Sequence, residues 1–198
     1  ITKKDNLKIN NNTSFLIKYI NQFPIKWITM SILTKDEILK HIEEGKINVE
    51  PFNPENIGPG SIDLTLHNKF RIFKKTNGIV DVNEDADYKL ITELVESEEI
   101  VIMPNETILG ITVEKITLPS NMCGWLEGRS RFARLGLLVH ISASYMQPGI
   151  SNRQVLELTN NSTVPLRLHA GTKICQFIFE QALGNARYTG RFTDQKEP

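Results

Sequence analysis

At residues 128–137 the chain reads Gly128-Arg129-Ser130-Arg131-Phe132-Ala133-Arg134-Leu135-Gly136-Leu137. The segment places a turn and several cations inside sequence that is otherwise apolar and strand-like. Further along, Glu157 stands between Leu156 and Leu158. Burying a carboxylate costs several kcal/mol unless a partner compensates its charge. We therefore expect Glu157 to be partly buried and paired, and Arg134 is the nearest obvious cation.

Short apolar or alternating runs, separated by Pro, Gly and Asn, make up most of the chain after residue 47. They include residues 70–73, 99–102, 107–113, 137–141, 154–158 and 174–179. Such runs are typical of an all-β barrel or sandwich with one or two helices attached. The acidic stretch 81–99 is expected to be an exposed excursion that includes a helical turn, and residues 130–137 are compatible with a helix.

The first part of the chain differs in composition from the rest. Residues 1–29 are rich in Asn, Lys and Ile, and we expect a poorly ordered extension there. A helix follows, because Thr34 and Glu37 have the spacing of a capping box and Gly45 ends the apolar period. The predicted organisation is an extension over residues 1–29, a β domain over residues 30–183 and a C-terminal segment over residues 184–198.

Composition excludes several kinds of partner. The chain has 23 basic and 23 acidic residues, so no global field attracts nucleic acid or an anionic membrane. No apolar run approaches the 18 or more residues that a membrane-spanning helix needs. Cys123 and Cys175 are isolated from each other in sequence and do not suggest a disulfide framework. We expect a soluble protein of the reducing cytoplasm, without nucleic-acid or membrane partners.

Several ordered motifs together resemble the dCTP deaminase branch of the dCTP deaminase/dUTPase superfamily. They are residues 128–137, the segment from His140 to Glu157, Pro59-Gly60-Ser61-Ile62-Asp63-Leu64-Thr65-Leu66, Pro165-Leu166, and Ala170-Gly171-Thr172-Lys173-Ile174. The resemblance covers most of the chain after Met30. It implies a mainly β fold, a distorted β-barrel or jelly roll of the dUTPase-like β-clip type with a few short helices. It also implies a homotrimer with sites between subunits, and hydrolysis of dCTP to dUTP and ammonia.

The same resemblance assigns catalytic roles. Glu157 matches the general acid/base, Ser130 the serine that helps to hold the attacking water, and Arg134 the arginine that orients the carboxylate. Ala143 matches a residue that acts through its backbone carbonyl. Taken alone, Glu157 is also consistent with a salt-bridged strand residue. Zinc deaminases carry His-x-Glu and Cys-x-x-Cys motifs, which this sequence lacks, so we expect a zinc-independent reaction and no protein ligands for a metal.

Nucleotide-binding candidates come from four regions of the sequence. The Gly128 turn offers backbone N–H groups, a hydroxyl and guanidinium groups to phosphate. The tail 188–195 resembles a segment that closes over the triphosphate, although a mobile tail is the alternative. Mg²⁺ is expected to arrive on the phosphate oxygens, while Asp63 would either assist through water or fix a turn. The candidates are Arg129, Ser130, Arg131, Ile141, Gln147, Gln176, Tyr188, Arg191 and Gln195.

The sequence departs from the family pattern where an Asp-Pro-Gly-aromatic-x-Gly motif is usual. This chain has Gln147-Pro148-Gly149-Ile150-Ser151-Asn152, which puts recognition of the sugar in doubt and predicts a different local backbone at Asn152. An amide cannot accept a proton, so Gln147 predicts deamination without release of diphosphate. The alternatives are a dUTP diphosphohydrolase, a bifunctional deaminase and diphosphatase, and a nucleotide-binding protein without turnover.

Overall fold

The computed structural model describes residues 31–140, 142–193 and 195–198. The predictions for residues 1–29 and for Ile141 concern parts of the chain outside this description. Within the described ranges, no helix is both long enough and apolar enough to cross a bilayer.

Helix α1 spans Lys35–Glu43, as the sequence predicts. Ile38 is fully buried on its inner face, and Gly45 leaves the helix with a φ of 66°. The predicted capping box is wrong in its detail, because the Thr34 side chain makes no capping hydrogen bond. The Glu37 carboxylate instead lies 3.5 Å from the Lys40 ammonium on the helix surface. The helix is therefore held by its packing rather than by a side-chain cap.

The remaining elements are mostly strands. The strands in chain order are β1 Asn48–Glu50, β2 Ile62–Phe73, β3 Thr92–Glu96, β4 Glu99–Ile102, β5 Thr107–Thr117, β6 Met122–Gly128, β7 Leu137–Val139, β8 Tyr145–Met146, β9 Ser151–Asn160, β10 Leu166–His169 and β11 Lys173–Gln181. Short 3₁₀ turns lie at Pro54–Asn56 and Tyr88–Leu90, and a single helical turn, α2, lies at Ser130–Ala133.

A curled antiparallel sheet connects nine of these strands in the order β7-β9-β5-β2-β11-β6-β8, with β1 added beside β5 and β3 beside β2. Strand β2 belongs to both halves of the sheet. Its first residues pair with β11, and from Leu66 onward it pairs with β5 and β3. Register shifts in the β2 and β5 pairings bend the strands and let the sheet curl. The fold is mainly β with short helices, which confirms the predicted class.

The core fills the inside of the curled sheet. Phe70, Phe177 and Phe179 are fully buried, and the rings of Phe177 and Phe179 lie 4.8 Å apart between centroids. Gly124 on β6 permits this packing, since a Cβ there would lie 2.1 Å from a ring atom of Phe177. Burial of each such side chain contributes about 1.5–3 kcal/mol. The close approach of β6 to β11 therefore depends on one residue without a side chain.

Two parts of the pattern are only partly as predicted. The acidic stretch is exposed over most of residues 81–91 and includes the predicted turn at Tyr88–Leu90. Its end is strand β3, however, which pairs with β2 and was not predicted. The predicted run 137–141 ends as a strand at Val139, because His140 turns out of it with a φ of 53°.

Candidate active site

A cavity of about 500 Å³ opens where strands β5 and β9 meet the C-terminal segment. Glu157 is the only carboxylate among the described residues that line it. The other polar lining groups are imidazole, amide and phenol groups. They are Tyr88, His140, Tyr145, Gln147, Asn152, Gln154, Tyr188 and Gln195. The cavity is thus shaped for a neutral or weakly polar group with one acid/base residue in its wall.

Glu157 is paired with a histidine. Its Oε2 lies 2.7 Å from Nδ1 of His140, and Nε2 of the same ring lies 2.9 Å from the carbonyl oxygen of Ala143. The side chain of His140 is buried, whereas that of Glu157 is 36% exposed. The sequence thus correctly predicts a partly buried, paired carboxylate. Glu157, His140 and Ala143 form one connected group at the cavity wall.

The predicted partner of Glu157 is wrong within a single chain. Arg134 caps the end of α2, its side chain is exposed, and no ion pair joins it to Glu157 in the described structure. The prediction took the nearest cation in the motif, while the sheet places His140 beside Glu157 by pairing β7 with β9. The signal in the sequence was a histidine near the end of the predicted run 137–141, in a chain without a zinc motif.

A second polar group lies around the start of α2, and we call it the arginine cluster: Ser61, Asp63, Gly128, Arg129 and Gln176. Arg129 Nη2 lies 3.0 Å from Asp63 Oδ2, and its Nη1 donates to the carbonyl oxygen of Lys173. Gln176 accepts from Ser61 Oγ at 2.9 Å and donates to the carbonyl oxygen of Gly128 at 3.3 Å. Asp63 is therefore an ion-pair partner rather than a free carboxylate.

The two groups are separate within one chain. Ser130, Arg131 and Arg134 are exposed beside the arginine cluster, and none of them lines the cavity. The structure thus brings together one part of the predicted site, namely Glu157, Ala143, Gln147, Tyr188 and Gln195. It places the other part, Arg129, Ser130, Arg131, Arg134 and Gln176, on a different surface.

The C-terminal segment lies against the cavity. Tyr188, Phe192 and Gln195 line it. The Gln195 amide donates to the carbonyl oxygen of Arg153, and the backbone N–H of Arg153 points back to Gln195 at 3.4 Å. Arg191 points elsewhere, with Nη1 donating to the carbonyl oxygen of Ala86 at 3.0 Å. The segment therefore covers the cavity, while the Arg191 side chain is hydrogen-bonded to Ala86 and does not line the cavity.

Strand β9 supplies amide side chains that the sequence analysis did not select. Gln154 is buried, and its Nε2 donates to Oδ1 of Asn152 at 3.0 Å. Asn152 lies within β9 and is not among the residues with positive φ, so it has the extended backbone that asparagine adopts without strain. The four consecutive polar residues at 151–154, which lead into the apolar residues around Glu157, were the available signal for an amide-lined wall.

An aromatic pair borders the cavity on its β6 side. The rings of Trp125 and Tyr145 lie 5.0 Å apart between centroids, and Trp125 Nε1 donates to Oε2 of Glu180 at 2.9 Å. Burial raises the pKa of Tyr145, and its interaction with Cys123 adds to the rise. Tyr145 therefore connects the cavity lining to an exposed tryptophan.

The residues of the site do not form a metal cage. Among the described residues, no group of three or more His, Cys, Asp and Glu side chains is arranged to hold a metal ion. His140 and Glu157 are two potential ligands, and their contact is with each other.

Comparison with known proteins gives a consistent result. A family model described as dCTP deaminase-like matches residues 32–182. The chain is 36% identical over 177 residues to a protein of Nocardioides sp. named "dCTP deaminase, dUMP-forming", covering 84% of this chain and 92% of that protein. It is 41% identical over 162 residues to a protein of Marinomonas sp. named "dCTP deaminase", covering 76% of this chain and 83% of that protein.

One solved structure supports the fold. The 2'-deoxycytidine 5'-triphosphate deaminase of Agrobacterium tumefaciens superposes with a TM-score of 0.62 at 18% identity. The superposition covers 78% of this chain and 49% of that one, so this chain matches about half of its length.

Proposed function

Because the chain belongs to the dCTP deaminase-like family, whose model covers residues 32–182, we propose that it is an enzyme that hydrolytically removes the C4 amino group of dCTP. The observation that carries the proposal is the position of Glu157 as the only carboxylate in the described lining of a 500 Å³ cavity. A general acid/base in this position is what deamination requires. The names of the relatives from Nocardioides and Marinomonas support the same substrate.

The proton balance of the reaction explains why one carboxylate is sufficient. Water adds through its oxygen to C4 of cytosine, and the bond from C4 to the amino nitrogen then breaks to release ammonia. One proton of the water ends on N3 of the base, and the other leaves with the ammonia. Glu157 accepts a proton when water attacks and returns it to the base or to the departing amine, so the carboxylate is ionised again after each cycle.

The exposed residues beside the arginine cluster would complete the cavity of a neighbouring subunit. In a homotrimer, Ser130 of one chain would hold the attacking water and Arg134 would place a positive charge near Glu157 of the next chain. The support for this arrangement is that both side chains are exposed and lie outside the cavity of their own chain. Point-group symmetry then produces identical sites between subunits.

The arginine cluster and the adjacent Arg131 are proposed to bind the triphosphate. Arg129, Arg131 and Gln176 carry donors that suit phosphate oxygens, and Tyr188, Arg191 and Gln195 would contact the nucleotide when the C-terminal segment closes. Mg²⁺ would bind through phosphate oxygens and neutralise part of their charge. Asp63 already pairs with Arg129, so it would orient that guanidinium rather than hold the ion.

The proposed product is dUTP. Release of diphosphate requires a base that activates water at the α-phosphate, and Gln147 in the cavity wall is a neutral amide. The second candidate product is dUMP, which is favoured by the name of the Nocardioides relative; the more identical Marinomonas relative is named without that product. Both cysteines are free thiols, and we propose a reducing compartment such as the cytoplasm.

Product analysis tests the proposal. The purified protein is incubated with each deoxynucleoside triphosphate and Mg²⁺, and ammonia, diphosphate and nucleotides are quantified by enzymatic assay and chromatography. We expect ammonia and dUTP from dCTP alone, and full activity after exhaustive chelation and return of Mg²⁺ only. Release of diphosphate from dUTP would identify a diphosphohydrolase, ammonia together with dUMP a bifunctional enzyme, and binding without any product a regulator. A requirement for stoichiometric zinc would contradict the proposed chemistry.

A further inference from the structure

His140 is fixed beside Glu157 by the main chain. Its backbone N–H donates to the carbonyl oxygen of Glu157 at 2.9 Å. Its φ of 53° is a left-handed conformation that residues other than glycine seldom adopt. Such a conformation persists only where the surroundings enforce it, and it occurs preferentially at functional sites. The backbone therefore sets the relation between these residues before their side chains are considered.

The imidazole ring of His140 lies between two acceptors. Nε2 is 2.9 Å from the carbonyl oxygen of Ala143, and Nδ1 is 2.7 Å from Oε2 of Glu157. A carbonyl oxygen can only accept, so Nε2 carries a proton. In a neutral ring Nδ1 would then be a bare acceptor 2.7 Å from a carboxylate oxygen, and the two electron-rich atoms would repel each other. A proton between Nδ1 and Oε2 removes this conflict.

The environment of these two atoms supports a shared proton. Both atoms are buried, and neither has a well-aligned hydrogen bond to any described residue. The contact between them is close but poorly aligned, as is common for catalytic groups in the absence of ligand. The Glu157 side chain is 36% exposed although Oε2 is buried, so Oε1 is the oxygen that faces the cavity.

We infer that His140 is a positioning residue for Glu157. One proton shared between Nδ1 and Oε2 holds that oxygen inward and leaves Oε1 free for water and substrate. The inference rests on the proposed deamination and leaves the proton balance of that reaction unchanged. The protons of the attacking water pass through Oε1, and the shared proton stays with the pair throughout the cycle.

The first test observes the proton directly. Two-bond correlation of ring protons with ¹⁵N in histidine-labelled protein distinguishes the two neutral tautomers from a doubly protonated ring. The chain has four histidines, and the signal that His140→Asn removes identifies His140. We expect Nε2 to be protonated and the Nδ1 shift to indicate a shared or bound proton. Glu157→Gln should move Nδ1 to the shift of a bare nitrogen. A neutral ring protonated only at Nδ1, or a spectrum that Glu157→Gln leaves unchanged, would overturn the inference.

The second test measures catalysis. Asparagine tolerates left-handed φ, so His140→Asn keeps the backbone, but one short amide cannot bridge both acceptors. We expect kcat to fall about 10-fold or more, since a positioned base contributes about 10²–10⁴-fold, while KM changes little. His169→Asn is the matched control, because His169 is 61% exposed on β10. An unchanged kcat in a folded His140→Asn protein would refute the inference.

The two tests separate this inference from the proposed function. The ring spectrum can be recorded without turnover. A wild-type protein that releases no ammonia from dCTP would refute the proposed deaminase activity. The spectrum would still show whether Nδ1 of His140 carries or shares a proton. An active wild-type enzyme with the wrong His140 tautomer would refute the positioning role alone. If His140→Asn does not fold, the spectra of the wild type and Glu157→Gln give the answer, with the four signals separated by their pH titration and exposure.

Discussion

Asn152 donates a hydrogen bond from its side-chain amide to the carbonyl oxygen of Phe192, with 2.8 Å between the two atoms. This bond joins strand β9 to the C-terminal segment that covers the cavity. The orientation of Asn152 is itself fixed, because Gln154 donates to its Oδ1 and the Gln154 backbone N–H donates to Thr112 Oγ1. The buried amides of β9 therefore hold the segment in place from beneath.

Asn152→Ala should weaken nucleotide binding by freeing this segment. One neutral hydrogen bond contributes about 1 kcal/mol, so we expect KM for dCTP to rise up to about 10-fold with a smaller change in kcat. Amide hydrogen exchange at residues 188–193 should accelerate as well. Asn161→Ala, at an exposed position outside the cavity lining, is the control. Equal exchange rates in the two variants would show that Phe192 is held by other contacts.

Glu157→Gln should abolish most turnover without loss of binding. The amide keeps the shape of the carboxylate but cannot accept a proton, so the rate of ammonia release should fall at least about 10²-fold. The affinity for dCTP, measured by calorimetry, should stay within a few-fold of the wild type. Near-normal deamination by the folded variant would remove Glu157 from the mechanism.

Arg134→Ala should reduce activity without a large loss of stability. The sequence suggested Arg134 as the partner of Glu157, and loss of a buried partner would destabilise the fold, but the structure pairs Glu157 with His140 and leaves Arg134 exposed. The expected defect is therefore in the site of the neighbouring subunit. Thermal unfolding and kcat of the variant measure the two effects separately.

Mixed assemblies test the same point more sharply. Subunits carrying Glu157→Gln and subunits carrying Arg134→Ala are mixed in equal amounts under conditions that exchange chains. If each site takes these residues from different chains, about one quarter of the sites become intact and activity returns. If both residues serve the site of their own chain, the mixture stays as inactive as its components.

His67 should make stability depend on pH. Burial lowers the pKa of His67 below its ordinary value of 6.5, and the charges of Arg153 and Lys69 lower it further. The unfolded chain then binds a proton that the folded chain resists, so stability is complete above about pH 6.5 and declines as pH falls below it. His67→Gln should give a shallower decline of the urea midpoint than the wild type between about pH 7 and pH 5. His169→Gln, at an exposed position, should retain the wild-type slope.

The periodicity of the sequence was sufficient for the fold class but not for the pairing of its strands. The run 99–102 has the bounds of β4, and the helix at Lys35–Glu43 begins after the predicted cap residue. Strand β3 was not predicted, because its acidic residues are typical of a solvent-exposed loop. Its strand conformation depends on pairing with β2. Non-local pairing of this kind has no local signature.

Contacts between distant strands also limited the prediction of the candidate site. Glu157 could be selected because a charge between two leucines needs a partner. The partner could not be identified, since His140 reaches it through the pairing of β7 with β9 and a left-handed turn. Ser130, Arg131 and Arg134 were selected together from one motif, but sequence spacing does not show that they lie outside the cavity of their own chain.

The contact between Trp125 and Tyr145 gives the protein a built-in optical probe. Tyr145 lines the cavity, while the indole of Trp125 is partly exposed and packs beside it at an interplanar angle of 52°. A nucleotide that displaces Tyr145 changes the surroundings of that indole and with them its emission. The sequence contains one other tryptophan, Trp27, and replacing it with phenylalanine leaves a single emitting indole next to the cavity. Occupancy of the cavity then becomes readable by fluorescence, without a label or a coupled assay.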